Sequence, residues 1–286
     1  MFTHDLVKHC HAQYNRTSRC AGCQNDCQGG CEQCLDAIHF GEIVRSYNCE
    51  NIANFYVCKY IYKYSGEIVH LIGHLDKLEN LERYDVLSVG CGPCTELAGL
   101  RAFLSQRGLN RPINFLGVDL NDVWRPIHER IRLTSQPGCF IDFSYGDALK
   151  VLPSLNWQNI DWRPNMVVMQ YFISSVVNSG GDLGTLVTEL SASVFPIMPI
   201  NSFLVLNDIN HFSIRVHFES IQSAMARRYK TEEHRLHFKH NVLPYYQYGQ
   251  QHPSNEIKSE VPPEIDECYH PWKFCSSAQM VIEKRS

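Results

Sequence analysis

The sequence has no long apolar run. Nowhere do about 18 apolar residues follow one another, so no helix is expected to cross a bilayer. The start, Met-Phe-Thr-His-Asp-Leu, lacks the apolar region of a secretory signal, and the expectation is a cytoplasmic protein. There is little net charge: 26 Lys and Arg against 30 Asp and Glu give −4. That balance gives no global pull toward nucleic acid or an anionic membrane, although a local basic face stays open. No Gly-Lys-Ser/Thr occurs, which excludes a P-loop. No internal repeat and no low-complexity tail are present.

What is present is a core and many thiols. The chain has 286 residues, 44% of them hydrophobic, enough for one α/β domain with a small appendage. Its 13 cysteines are many for a chain without a secretory signal, so thiols or metal are expected rather than a disulfide framework. Five of them, Cys20, Cys23, Cys27, Cys31 and Cys34, fall in one polar run. Cys20/Cys23 and Cys31/Cys34 have the Cys-x2-Cys spacing that chelates one tetrahedral zinc. Such a run cannot pack a core alone, and zinc binding would supply its folding free energy. Four of these five cysteines are the expected ligands, with His9, Cys10, His11 and His39 as further donors nearby. The three residues Cys27, Cys31 and Cys34 also match the cluster-binding spacing of radical S-adenosylmethionine enzymes. Gln33 stands where that family usually has an aromatic residue.

The stretch from Tyr84 to Leu97 organises the rest. Asp85 to Val89 reads as a buried strand. Gly90 and Gly92 break it, Pro93 fixes φ, and Thr95 to Gln106 has helical spacing. Strand, glycine turn and helix form a ligand crevice at the carboxyl end of a strand in an open α/β sheet. A dinucleotide fingerprint fails, because Thr95 stands where its third glycine should be. Further strands are expected at 113–118, 140–145, 165–170, 202–207, 236–242 and 278–284. Helices are expected from Pro126, from Ala148, over 183–195 and over 212–228. Residues 41–80 read as helical, with Tyr56, Tyr60, Ile61 and Tyr64 on one face. Residues 250–271, polar and rich in proline, read as a surface excursion.

Strand ends then carry a pattern. Gly90-Cys91-Gly92-Pro93 ends the first strand, Asp119 the second, Gly146-Asp147-Ala148 the third, and the apolar Met166–Met169 run leads to Gln170. Together these resemble the class I S-adenosylmethionine (SAM) dependent methyltransferases over about residues 64–208. In that family an acidic residue and a third glycine usually stand at the positions of Ser88 and Cys94. The resemblance implies a Rossmann-like α/β fold, a seven-stranded, mostly parallel sheet with a reversed last strand and helices on both faces. It implies a SAM site at Gly90, Cys91, Gly92, Asp119, Leu120, Asp147, Ala148 and Gln170. Asp119 would hold the ribose hydroxyls and Asp147 the adenine amine, or each could cap a helix instead.

The resulting organisation is a cysteine-rich zinc segment at 1–40, a helical cap at 41–80 and the SAM-binding domain at 81–286. The methyl acceptor is not legible. Gln170-Tyr171-Phe172-Ile173-Ser174 lacks the Asn/Asp-Pro-Pro-Tyr/Phe motif of base-amino methylation, and no Pro-Cys nucleophile appears. Tyr171, Asp208 and His211 are candidates for the acceptor side. The competing expectation is a zinc-anchored interaction module with a degenerate SAM fold.

Overall fold

A computed structural model describes residues 2–14, 30–40, 47, 49–135, 139–157, 160–237 and 260–286. The strands are β1 (Tyr84–Val89), β2 (Ile113–Asp119), β3 (Ile141–Tyr145), β4 (Met166–Gln170), β5 (Ser202–Ile209), β6 (Thr231–His237) and β7 (Ser277–Lys284). The helices are α1 (Phe2–Gln13), α2 (Gly30–Phe40), α3 (Glu50–Gly73), α4 (Asp76–Glu79), α5 (Thr95–Gln106), α6 (Arg125–Leu133), α7 (Ala148–Ser154), α8 (Phe172–Asn178), α9 (Leu183–Glu189), α10 (Phe212–Ala226) and α11 (Pro263–Tyr269).

The seven strands form one sheet in the order β3-β2-β1-β4-β5-β7-β6. β1 to β5 pair in parallel, and β7 runs antiparallel between β5 and β6. The strand order reverses beside β1, between β2 and β4, and the carboxyl ends of those strands are where open α/β sheets place a ligand crevice. The open sheet with its reversed last strand is the one the resemblance implies. It is not a barrel, so the radical reading of Cys27, Cys31 and Cys34 loses its fold.

Alternate side chains of the strands build two cores. Val86, Phe115, Met166, Val168, Phe203, Val205 and Val281 pack under α1, α3, α5, α6 and α11. Leu87, Val89, Leu116, Val118, Val167, Met169, Leu204, Leu206 and Ile282 pack under α7 to α10. Both faces are therefore covered, which is why the central strands read as continuous apolar runs.

Several expectations need correction. α3 carries more than an aromatic face, because Val57 through Ser65 are buried without a break. It is a core helix, packed on the sheet and among its neighbours. The supposed excursion before Pro271 contains α11, whose Ile265 and Tyr269 are buried. The sixth strand is Thr231–His237, earlier than 236–242, and residues 238–242 lie outside the described residues. The 183–195 helix divides into α9 and a π-helical segment, Leu190–Val194. α8 is an element the sequence pattern does not predict. Cys31 and Cys34 lie buried on α2, while Cys20, Cys23 and Cys27 lie outside the described residues. α1 buries Leu6, Val7 and Cys10 in the same core as α3. Among the described residues no helix is long and apolar enough to cross a membrane.

Candidate functional site

The turn after β1 is built from two left-handed glycines, Gly90 at φ +73° and Gly92 at φ +45°. The Gly90 and Cys91 amides both donate to the Val118 carbonyl, at 2.8 and 3.0 Å, tying the turn to β2. The Asp119 carboxylate completes the tie. It accepts from Gly92 N at 2.7 Å and from Asn121 N at 2.8 Å, and the Trp124 indole also donates to it. Asp119 is thus a buried brace between two strand ends, not a helix cap. Burial pushes its carboxyl above the usual range, and the backbone bonds oppose that.

The other expected residues distribute around this brace. Gln170 accepts from Thr95 Oγ1 at 2.9 Å and donates to the Tyr64 carbonyl at 2.9 Å, so it joins β4, α5 and α3. Asp147 caps α7, accepting from Leu149 N at 3.0 Å. Ala148 is half-buried beside it, and Leu120 is 69% exposed at the rim. Cys91 is buried, and its thiol points behind the turn, where a β-carbon at Gly117 would come within 2.7 Å of it.

Aromatic rings run along the strand ends from β2 to β4. Trp124 and Tyr56 lie 5.5 Å apart, Tyr56 and Tyr64 6.2 Å, and Tyr64 and Tyr171 4.2 Å. The tyrosine face read from the sequence therefore packs against Trp124 and Tyr171 at these strand ends. Such faces attract cations.

One functional candidate escapes the sequence reading. Glu96, in the first turn of α5, is buried and hydrogen-bonds Ser88. It brings a carboxylate to the residue where the family usually has one. Its Oε1 has no hydrogen-bond partner among the described residues. Burial pushes its carboxyl up to about 7. An acid in a first helical turn is ordinary in sequence, so only its burial marks it.

That shift has a testable sign. The raised folded value means Glu96 favours the folded state below its ordinary 4.5 and loses that contribution as pH rises through about 7. Glu96→Gln should therefore gain ~1–3 kcal/mol over the parent at pH 8.5 and lose the gain at pH 4.5. Urea unfolding at both pH values checks this, and an equal difference at both contradicts it.

The acceptor-side candidates resolve differently. His211 caps α10, its Nδ1 3.3 Å from Ser213 N. Asp208 is buried and accepts from Ser174 N at 3.0 Å and Ile209 N at 2.7 Å, which holds the start of α8 to β5. Burial pushes its carboxyl up to about 6. Tyr171 adopts left-handed backbone at φ +52°, and its hydroxyl meets Lys63 and Glu67 under α3. These three side chains brace the site's floor.

No protein-family model and no curated protein matches the chain. Solved structures resemble it at low identity. N-methyltransferase NodS from Bradyrhizobium japonicum WM9 is 10% identical, with a TM-score of 0.44 over 78% of this chain and 97% of that one. The plantazolicin methyltransferase BpumL, in complex with a monoazolic desmethylPZN analog and SAH, is 9% identical, with a TM-score of 0.46 over 100% of both. A precorrin-6y C5,15-methyltransferase from Geobacter metallireducens GS-15 is 9% identical, with a TM-score of 0.41 over 77% and 88%. Likenesses this distant carry no weight for function. The strand order and the crevice side chains carry it instead.

Proposed function

We propose that this chain is a SAM-dependent methyltransferase whose cofactor lies at the carboxyl ends of β1, β2 and β3. The observation that carries the reading is a buried acidic pair, Asp119 and Glu96, with no cationic hydrogen-bond partner among the described residues. The donors to Asp119 are the neutral Gly92 and Asn121 amides and the Trp124 indole, and Glu96 Oε1 has no donor among the described residues. Buried charges need a counter-charge or become neutral. SAM brings two cationic centres, an ammonium and a sulfonium. Beside the pair, a β-carbon built on Gly92 meets no atom within 4 Å, so the turn borders open space.

The residues that would hold SAM are Gly90, Cys91 and Gly92 through backbone, with Asp119, Leu120, Asp147, Ala148 and Gln170. Glu96 joins them. When bound, SAM supplies a methyl group on a good leaving group. The chain need only orient the acceptor and exclude water, which the tyrosines of α3 are placed to do. The acceptor is left open. One zinc on four of Cys20, Cys23, Cys27, Cys31 and Cys34 remains part of the proposal, and elemental analysis of the purified chain tests it.

Calorimetry with SAM and S-adenosylhomocysteine tests the function. Both should bind the parent. Asp119→Ala should weaken SAM by ~10- to 100-fold, about 1.4–2.8 kcal/mol. The same change leaves the Gly92 and Asn121 amides without their acceptor, so stability should fall by ~1–3 kcal/mol. No heat from either ligand at high protein concentration would instead favour the interaction module.

A further inference from the structure

We propose that Cys91, Cys94 and His128 form a zinc site behind the glycine turn, separate from the N-terminal cysteines. The two Sγ atoms and a ring nitrogen of His128 lie within 4.8 Å of one another, and all three residues are buried. Cys91 Sγ is 4.0 Å from Nε2. Bound zinc has Zn–S of ~2.3 Å and Zn–N of ~2.0–2.1 Å, so its ligand atoms sit ~3.5–3.8 Å apart. Closing onto the metal needs movements of about an ångström at most.

The turn is shaped for chelation. Cys91-Gly92-Pro93-Cys94 has the Cys-x2-Cys spacing, and Cys94 N donates to the Cys91 carbonyl at 2.7 Å. That bond folds the two thiols to one side. Cys94 adopts left-handed backbone at φ +61°, a conformation that costs a residue with a β-carbon ~1–2 kcal/mol. A glycine there would avoid the strain, and a cysteine that ligates a metal gives the strain a purpose.

His128 has the support a metal ligand needs. Its ring stacks on Phe143 at 3.9 Å between centroids, and Nδ1 is 2.8 Å from the Tyr145 hydroxyl. Nε2–H donates to the Gly92 carbonyl at 2.7 Å. With zinc bound, the proton sits on Nδ1 and the Tyr145 hydroxyl accepts it, the outer contact that fixes a metal-bound imidazole. The two thiols release two protons as the dication enters, so the zinc bis-thiolate is neutral. The fourth position would be taken by a water molecule.

Such a zinc would staple the turn after β1 to α6. It would not enter the crevice itself, so the site can exist whether or not the chain binds SAM. Crystals of the full chain grown with zinc, with anomalous diffraction collected at the zinc edge, test it without any substitution. The expected result is a peak between Cys91 Sγ, Cys94 Sγ and His128 Nε2. Peaks only elsewhere, or a direct bond between the two sulfurs, would overturn the proposal. In solution, Cys91→Ser with Cys94→Ser should lower tightly held zinc by one per chain. Unchanged zinc in that folded double variant would also overturn it.

Discussion

Gly92→Val should abolish SAM binding while leaving the chain folded. Gly92 sits at φ +45°, and a β-carbon there meets nothing within 4 Å. The β-carbon therefore strikes no part of the protein. Its cost to the fold is the left-handed backbone, ~1–2 kcal/mol and somewhat more for a β-branched residue. A domain stable by ~5–15 kcal/mol tolerates that. The open space the methyl groups enter is the space proposed for the methionine end of SAM, so affinity should fall by more than ~100-fold, at least about 2.8 kcal/mol. The neighbouring glycine gives the contrast. A β-carbon on Gly90 would lie 2.4 Å from the Phe172 ring, at φ +73°. Gly90→Ala should damage stability first, because the start of α8 must move. Calorimetry and thermal unfolding on the two variants separate these outcomes. Normal SAM binding by folded Gly92→Val would remove the cofactor assignment.

Glu67→Ala should be among the most destabilising single substitutions in the molecule, at ~3–5 kcal/mol. Glu67 is 0% exposed and pairs with Lys63, 2% exposed, at 2.9 Å. Its carboxylate also accepts from the Tyr171 hydroxyl at 3.0 Å, Ser276 N at 3.1 Å and Asn207 Nδ2 at 3.1 Å. Four elements or their ends, α3, β4, β5 and the entry to β7, meet on this one group. Removing it leaves the Lys63 ammonium buried without a counter-charge and three neutral donors without their acceptor. Lys63→Met with Glu67→Gln should cost less than Glu67→Ala, since no lone charge is left inside. Denaturant unfolding compares the two. A larger loss in the double variant would contradict this role for the network.

That network is not legible in the sequence, for a physical reason. Lys63 and Glu67 stand four residues apart on a helix, the spacing of an ordinary surface pair. Only the burial of α3 on all sides makes the pair internal, and burial of a helix depends on what packs over it. The same holds for Glu96, which reads as a common first-turn acid. The local unit from Tyr84 to Gln106 is legible nearly to the residue, because an apolar β-rich run, two glycines and a proline all act within a few residues. β2, β4 and β7 are legible for the same reason, as apolar runs with clear breaks.

Elements that rest on distant partners are not. Phe172-Ile-Ser-Ser-Val-Val-Asn is poor in helix formers, yet it forms α8, whose Ser174 amide is held by Asp208 from β5. β6 is polar, Thr-Glu-Glu-His-Arg, and is a strand because β7 lies beside it. α11 does carry a local signal, Pro263 at its first turn. The polar, proline-rich stretch before it obscures that signal.

The most direct test of the cofactor site is a crystal of the chain with S-adenosylhomocysteine. Density is expected against the Gly90–Gly92 turn, with the ribose at Asp119 and the adenine toward Asp147. Density elsewhere on the chain, or normal binding by variants at Gly92 and Asp119, would contradict the assignment.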